Sequence, residues 1–487
     1  MGETLARLSA DFNGSLRIEP RPERLTSEAG AIVLREVLER VGIVDWVADR
    51  IPDPRDPALI THPLAELFRT AVLLFAQGWR DQDDADALRD DPAFRLAVSE
   101  RKGISPLLSR AAEVRKNKNP AVPDGLASQP TLSRLYGVLA RPENRLVLRE
   151  AVLLTAARRQ KAMRGGHRLR YATIDVDGLP IDVHGHQPGS AHNGHYRGRI
   201  YHPIVASIAE TGDLLDIHLR EGNVHGASGA LEFITSLVDR VERELCQVAS
   251  VRMDAGFPEE KLLAALEARS TPYVARVRNN AVLNEMAVPF LKRPVGRPPA
   301  EPRVWFHEME YQAGAWSKQR RVVLVVLERP GELFLHHFWL ITNWTREQIG
   351  NEELLNLYRE RGAAEGNFGE LKSVLDPALS SAPRPKSHYR GKAPKKRTTS
   401  VDSFAQNEVI ILLHALAYNV MHVARVLMEK STGRGWSLLR LRERVLRTAG
   451  RAILHGRRVV LVIGTASAKL WEGLWRELQG LRFQANG

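Results

Sequence analysis

The hydrophobic period of the chain changes at Gly165-Gly166, and that change restricts the folds open to it. Before the two glycines, apolar residues recur at helical spacing; after them they alternate. AIVLREVLERV follows Thr26-Ser27 and ends at Gly42, a residue suited to a helix C-cap. A second helix starts at Pro63 and ends at Gly78. SQPTLSRLYGVLARPENRLVLREAVLLTAARRQKAMR reads as two helices broken near Pro142. Beyond Gly166, YATIDVDGLPIDVHG places Thr173, Asp175 and Asp177 on one strand face and Ile174 and Val176 on the other. YHPIVASIAE and DLLDIHLREGN read as strands, SGALEFITSLVDRVEREL as a helix, CQVASVRMDAGF as a strand, PEEKLLAALEARS as a helix and TPYVARVRNN as a strand. A β-β-β-α-β-α-β order predicts an α/β fold with a mixed sheet.

The flanking regions divide by pattern. Residues 1–165 are predicted helical, 166–299 hold the first part of the α/β core, and 300–345 are a β-rich insertion with turns at Ala313-Gly314 and Pro330-Gly331. Residues 346–380 are a helical stretch after Thr345, and 381–400 a basic loop with seven Lys/Arg and no acid. Residues 401–487 are mainly helical, with one strand-like piece, RRVVLVIG.

Composition narrows the function classes. With 487 residues and 44% of them hydrophobic, the chain is too long and too apolar for global disorder. At about 150 residues per domain it holds roughly three domains. The lone Cys246 excludes an intramolecular disulfide and fits a reducing compartment. The start lacks an apolar signal-peptide core, and no apolar run of membrane-spanning length stands out, so neither secretion nor membrane insertion is expected. A net charge of +13 and a pI near 9.9 favour a polyanionic partner, nucleic acid before an anionic membrane.

Three acids stand out. Asp177 and Asp254 each end a strand and precede a small residue, which suits either a turn cap or a carboxylate presented at a sheet end. In LYRERGAAEGNFGELK, Tyr358, Arg361, Glu365 and Lys372 fall at offsets 0, 3, 7 and 14. At about 100° per residue all four lie within a sector of about 60° of one helix. A solvated stripe with an Arg361–Glu365 pair has the same pattern. Gly362, Gly366 and Gly369 beside it allow either close helix packing or close approach of a ligand.

Tyr-x2-Arg-x3-Glu-x6-Lys resembles the signature of a subgroup of DDE transposases from bacterial insertion sequences. The blocks QGWRDQDDADALRDDPAF, SQPTLSRL, IDVDGLPIDVHGHQ, NGHY, HP, VRMDAGF and SFAQNEVIILLHALAYN resemble the same family in its order, from about residue 20 to 480. The resemblance implies a ribonuclease H-like core in which Asp177, Asp254 and Glu365 are catalytic and bind Mg²⁺, with Mn²⁺ as a substitute. Hard divalent ions prefer such oxygen donors. Asp175 is the alternative first acid. The family pattern carries a hydroxyl residue two positions after the first acid, whereas Asp177 is followed at that place by Leu179. Tyr358, Arg361 and Lys372 carry over as contacts to DNA phosphates at the transposon end. The basic loop after the catalytic helix, Arg384, Lys386, Arg390, Lys392, Lys395, Lys396 and Arg397, is expected to touch DNA.

The implied function is cut-and-paste transposition. The protein binds terminal inverted repeats through its helical N-terminal part, cleaves the ends by metal-dependent hydrolysis and joins the 3′-OH to target DNA. Double-stranded DNA is the partner, a homodimer forms in the synaptic complex, and the location is the prokaryotic cytoplasm, at the nucleoid. Two other classes compete: a domesticated, inactive DNA-binding protein, and a metal-dependent nuclease without strand transfer.

Other features carry alternatives. His184, His186, His192, His195 and His202 read as a polar hairpin near the active site rather than a zinc site, because no cysteine accompanies them. RRQKAMRGGHRLR is either a solvated linker or a DNA-backbone contact, and Arg297 in KRPVGRPP either an exposed loop residue or a minor-groove hook. Trp305, Trp316 and Trp344 lie in or beside the β-rich insertion, where relatives hold a flipped base.

Overall fold

A computed structural model describes residues 8–18, 23–100, 104–107, 125–296, 300–381 and 403–481. The first elements are β1 (Leu8–Ala10) and β2 (Asn13–Ile18), a hairpin, and β3 (Leu25–Thr26). The helices α1 (Ala31–Val41), α2 (Ile43–Ala48), α3 (Leu64–Gln77), α4 (Asp84–Ala87), α5 (Pro92–Val98), α6 (Gln129–Leu139) and α7 (Pro142–Met163) follow. Gly42 ends α1 at φ 64°, its N–H donating to the carbonyls of Leu38 and Glu39. Strands β1 to β3 correct the all-helical expectation for 1–165.

The strands after Gly166 are β4 (Tyr171–Gly178), β5 (Ile181–Asp182), β6 (Ala191–Asn193), β7 (Gly198–Tyr201), β8 (Ile204–Ile208) and β9 (Leu214–His218). Then come α8 (Ala230–Glu244), β10 (Gln247–Met253), α9 (Glu260–Ala268), β11 (Tyr273–Val277) and α10 (Ala281–Ala287). The meander is β12 (Arg303–Tyr311), β13 (Arg320–Glu328) and β14 (His336–Thr342). One sheet of eight strands runs β12-β13-β14-β11-β10-β4-β8-β9. Strands β4, β10 and β11 are parallel, and β8 is antiparallel to β4. Taken as one to five, β4, β8, β9, β10 and β11 lie in the order 3-2-1-4-5 with the second reversed, the ribonuclease H-like arrangement. Strands β5, β6 and β7 form a small separate sheet where the histidine-rich hairpin was expected.

The 300–345 meander is not set apart from the core. Strand β14 pairs with β11 through Val274–Thr342 to Val277–Trp339, so the meander prolongs the central sheet. After it come α11 (Asn351–Arg359), α12 (Gly362–Ser373), α13 (Ser403–Thr432), α14 (Leu438–Leu441), the hairpin β15 (Gly450–His455) and β16 (Arg458–Ile463), and α15 (Thr465–Gly480). Two strands therefore stand where one was read in the C-terminal region.

Helices α8, α9 and α10 cover one face of the sheet through Phe233, Leu237, Leu263 and Leu283. The other face meets α13, whose Ile411, Leu412, Leu416 and Met421 join the cores of α1, α3 and α7. The N- and C-terminal regions thus share one hydrophobic core, and β3 pairs with β15. Among the described residues α13 is the one helix long and apolar enough to cross a membrane, and 94% of its most apolar stretch is buried inside the protein.

Candidate active site

Strands β4 and β10 lie side by side and parallel, registered Asp175–Arg252 and Val176–Met253. Asp177 and Asp254 come one step later, so both carboxylates sit at the same end of adjacent central strands. The turns behind them fix both side chains. Asp177 Oδ1 accepts from Gly178 N at 2.8 Å, and Asp254 Oδ1 from Gly256 N at 2.7 Å. Gly178 also yields room: a Cβ there would stand 2.5 Å from His202 Nε2.

Glu365 reaches the acids from α12. Arg361 joins them: its Nη2 donates to Asp177 Oδ2 at 2.6 Å and its Nη1 to Glu365 Oε1 at 3.0 Å. Burial pushes the Asp177 carboxyl up to about 6, Arg361 opposes the rise, and the charges of Asp254 and Glu365 add to it. Asp177 therefore lies within reach of the charges of Asp254 and Glu365, and Arg361 links it to Glu365.

Asp175 has a different fate, which corrects its standing as the alternative metal ligand. It and Arg252 are each 1% exposed. Arg252 grips it with a fork, Nε to Oδ1 at 2.6 Å and Nη2 to Oδ2 at 2.7 Å. The same guanidinium donates from Nη1 to Leu357 O at 2.6 Å and to Glu360 Oε2 at 3.2 Å. Both Asp175 oxygens are engaged by a fixed cation, and protein encloses the pair.

That bond also explains why one expected helix is two. In a continuous helix Leu357 O would accept from Arg361 N. Arg252 takes this carbonyl, and Arg361 N bonds to Tyr358 O at 3.1 Å instead, with Ala363 and Ala364 likewise bonding three residues back. The backbone stays right-handed through Glu360 and Arg361, so Arg361 and Glu365 still share a face. Gly362, Gly366 and Gly369 of α12 face open space, which discounts helix packing as their reason.

The rest of the signature spreads out. Tyr358 is half-buried with its ring 6.5 Å from Phe338, and burial raises its phenol. Lys372, two turns beyond Glu365, pairs with Asp182 at 3.2 Å. It lines a groove of ≈ 800 Å³ with Arg80, Asp182, His184 and Asp376 rather than the acid cluster. The basic-loop residues Arg384 to Arg397, and Arg297, lie outside the described residues.

Tyr196 and Arg220, which the sequence did not single out, form a second wall with His202 of the expected polar hairpin. Tyr196 packs against His202, ring centres 5.7 Å apart, and both feel the charge of Asp254. Arg220 is buried beside them, its Nε donating to His202 O at 2.8 Å and its Nη1 to Gly226 O at 2.7 Å. Burial pulls this guanidinium down to about 10, against the pull of Asp254. The NGHY and HP blocks were the available signal, without a register to aim them.

Two other readings change. Arg158 and Arg159 point inward, donating to Val41 O at 2.6 Å and Asp213 Oδ1 at 2.6 Å, and the exposed Arg168 donates to Leu245 O at 3.2 Å, so these three cations of the 158–170 run are bonded within the protein. Trp316 is buried against Tyr311 and Arg320, closed to any base. His184, His186, His192 and His195 are exposed. As the side chains stand, no three His, Cys, Asp or Glu among the described residues converge to hold an ion.

The donor set of Asp177, Asp254 and Glu365 nonetheless suits a hard cation, being all carboxylate oxygen, with a cation, the Arg361 guanidinium, already bonded to two of the three. Residues 8–384 match the family model described as transposase DDE domain group 1. The chain belongs to that family. In this DDE transposase domain the match spans the small sheet, the central sheet, the meander and α12. The cryo-EM structure of the piggyBac transposase synaptic complex with hairpin DNA is similar at 11% identity and a TM-score of 0.40, over 85% of this chain and 78% of that one. Comparison with curated proteins finds no match.

Proposed function

We propose that the protein is a cut-and-paste transposase of a bacterial insertion sequence, of the subgroup with the Tyr-x2-Arg-x3-Glu-x6-Lys signature. It binds the terminal inverted repeats of its element, hydrolyses the end phosphodiester and joins the freed 3′-OH to target DNA. The observation that carries the reading is that Asp177 and Asp254 stand at the same end of adjacent parallel strands, with Arg361 linking Asp177 to Glu365, in a chain of the DDE transposase family.

Asp177, Asp254 and Glu365 would hold divalent metal, Mg²⁺ or Mn²⁺, which when bound supplies an activated nucleophile at neutral pH and stabilises the leaving oxygen. The chain's own residues do the rest. The turns at Gly178 and Gly256 hold two carboxylates in place before DNA arrives. Arg252 ties the sheet to the α11–α12 junction, which fixes where Glu365 stands. Arg361 offers a planar fork to a phosphate, and Lys372 a point charge at the mouth of the adjacent groove. Tyr358 contributes a half-buried ring at the same edge.

The helical N-terminal part is the proposed end-binding region, with the basic loop as a further DNA contact. Synapsis of two ends requires at least a dimer, at the nucleoid of a prokaryotic cell. The test uses duplexes copied from the DNA flanking the gene, incubated with protein, Mg²⁺ and a target plasmid. Transposition predicts a nick at the repeat end and a labelled end joined to plasmid, both lost in Asp254→Ala. Cleavage without joining indicates a nuclease, and binding without cleavage a DNA-binding protein.

A further inference from the structure

We propose that Arg361 is the resident counter-ion of the acid cluster in the free protein, and that it must leave the acids before a divalent cation enters, turning to a DNA phosphate as it does. The proposal rests on the reading of Asp177, Asp254 and Glu365 as the metal-binding acids.

The geometry sets the two occupants in competition. Asp177 Oδ1 already accepts from Gly178 N, which leaves Oδ2 as its free donor, and Arg361 Nη2 holds that atom at 2.6 Å. Arg361 Nη1 holds Glu365 Oε1 at 3.0 Å. A divalent ion bridging strand and helix competes with the guanidinium for those same two carboxylates. The Arg361 side chain is 13% exposed, so little water competes for its bonds. Charge points the same way. Three carboxylates carry −3, which Arg361 reduces to −2; a divalent ion added while the guanidinium remained would share its ligands with a like charge.

Where the guanidinium goes follows from its place in the chain. Arg361 stands at the break between α11 and α12, its backbone N–H bonded to Tyr358 O, so the side chain can rotate without unwinding either helix. Three exposed glycines, Gly362, Gly366 and Gly369, leave open space along α12, the direction from which a DNA backbone can approach. A phosphate there gives the released fork a new partner. Metal and DNA therefore raise each other's affinity, because each removes the cost of the other's arrival, and linkage makes the effect reciprocal.

The test reads Mn²⁺ binding rather than activity, by loss of the free-ion paramagnetic resonance signal on titration into full-length protein. The expectation for Arg361→Gln without DNA is an affinity on the order of tenfold above wild type. Arg361→Lys, which keeps the charge but lacks the fork, falls between them. Adding flanking-repeat duplex tightens Mn²⁺ binding to wild type and has less effect on Arg361→Gln. Thermal unfolding of each variant checks the fold, and the Lys variant reads the effect if the Gln variant is unstable. If both variants bind Mn²⁺ no better than wild type while Asp177→Asn binds none, the counter-ion role of Arg361 is wrong and the acids remain the metal site. If Asp177→Asn binds Mn²⁺ as wild type does, the reading of the acids fails and the proposal falls with it.

Discussion

Asp175 and Asp177 sit two residues apart on one strand face and take up different work because of what lies opposite. Arg252 faces Asp175 across the β4–β10 register, while Asp254 falls beside Asp177. Removing Asp175 would strand a buried guanidinium, a loss of about 3–5 kcal/mol. Urea unfolding of Asp175→Ala is therefore expected to show a large drop in midpoint, and wild-type stability in that variant would refute the buried-pair assignment. Asp177→Ala, in contrast, keeps a folded protein and loses end cleavage, read by circular dichroism and by nicking of the flanking duplex. Both acids were visible in the sequence on one strand face, Asp177 at the strand's end. Their division of labour was not, because alternation gives the face of a residue but not its depth. The Arg252 signal was present, two residues before Asp254 as Asp175 is two before Asp177, yet only a parallel register turns that spacing into an ion pair.

Helical arithmetic over 358–372 assumes one uninterrupted helix, and the capture of Leu357 O by Arg252 breaks that assumption. Tyr358 falls on the other side of that break yet still feels the charges of Arg361, Asp254 and Asp177, Lys372 turns to Asp182 two turns along α12, and Arg361 and Glu365, both at the start of α12, keep their relation. The glycines of α12 permit a sharp expectation. Gly366 faces open space, and replacing a helical Gly by Ala stabilises by up to about 1 kcal/mol, so Gly366→Ala should raise the unfolding temperature. A lowered temperature would mean that the position is sterically closed. Helix α13 carries a pH-sensitive element at its centre. His414 is fully buried, its Nδ1 donating to Ile410 O at 2.8 Å and its ring stacked on Phe75 at 3.9 Å. Burial pulls it down to about 4 from 6.5. The unfolded chain takes up this proton first, so its share of stability is present above about pH 6.5 and is lost as pH falls toward 4. His414→Leu is expected to flatten the unfolding midpoint across that window, and an unchanged slope would remove His414 as the cause. The apolar stripe of α13 was legible in the sequence; its polar insertions carried no partner until β9 and α3 came beside them.

At the scale of the molecule, the period change at Gly165 did mark the start of the central sheet. It did not mark an independent unit before it, since α1, α3, α7 and α13 share one core and sequence patterns do not say which apolar faces meet. The net charge of +13 is likewise unevenly available. Arg149, Arg159, Arg240 and Arg320 are spent on Asp216, Asp213, Glu150 and Glu260 within the protein. With about 6–10 phosphates contacted, DNA affinity should fall by roughly 10³–10⁵ between 50 and 200 mM salt, as filter binding can measure, and a flat response would sink the DNA reading. The pairing of β3 with β15, and the reach of Arg40 to Leu481 O at 3.4 Å, set a condition on biosynthesis. A ribosome exposes the first helices long before it makes the strand and the helix that complete their core. A chain released early lacks α13 and presents the apolar faces of α1, α3 and α7 bare, so it is expected to be cleared by proteases and not to accumulate as a competing binder of transposon ends.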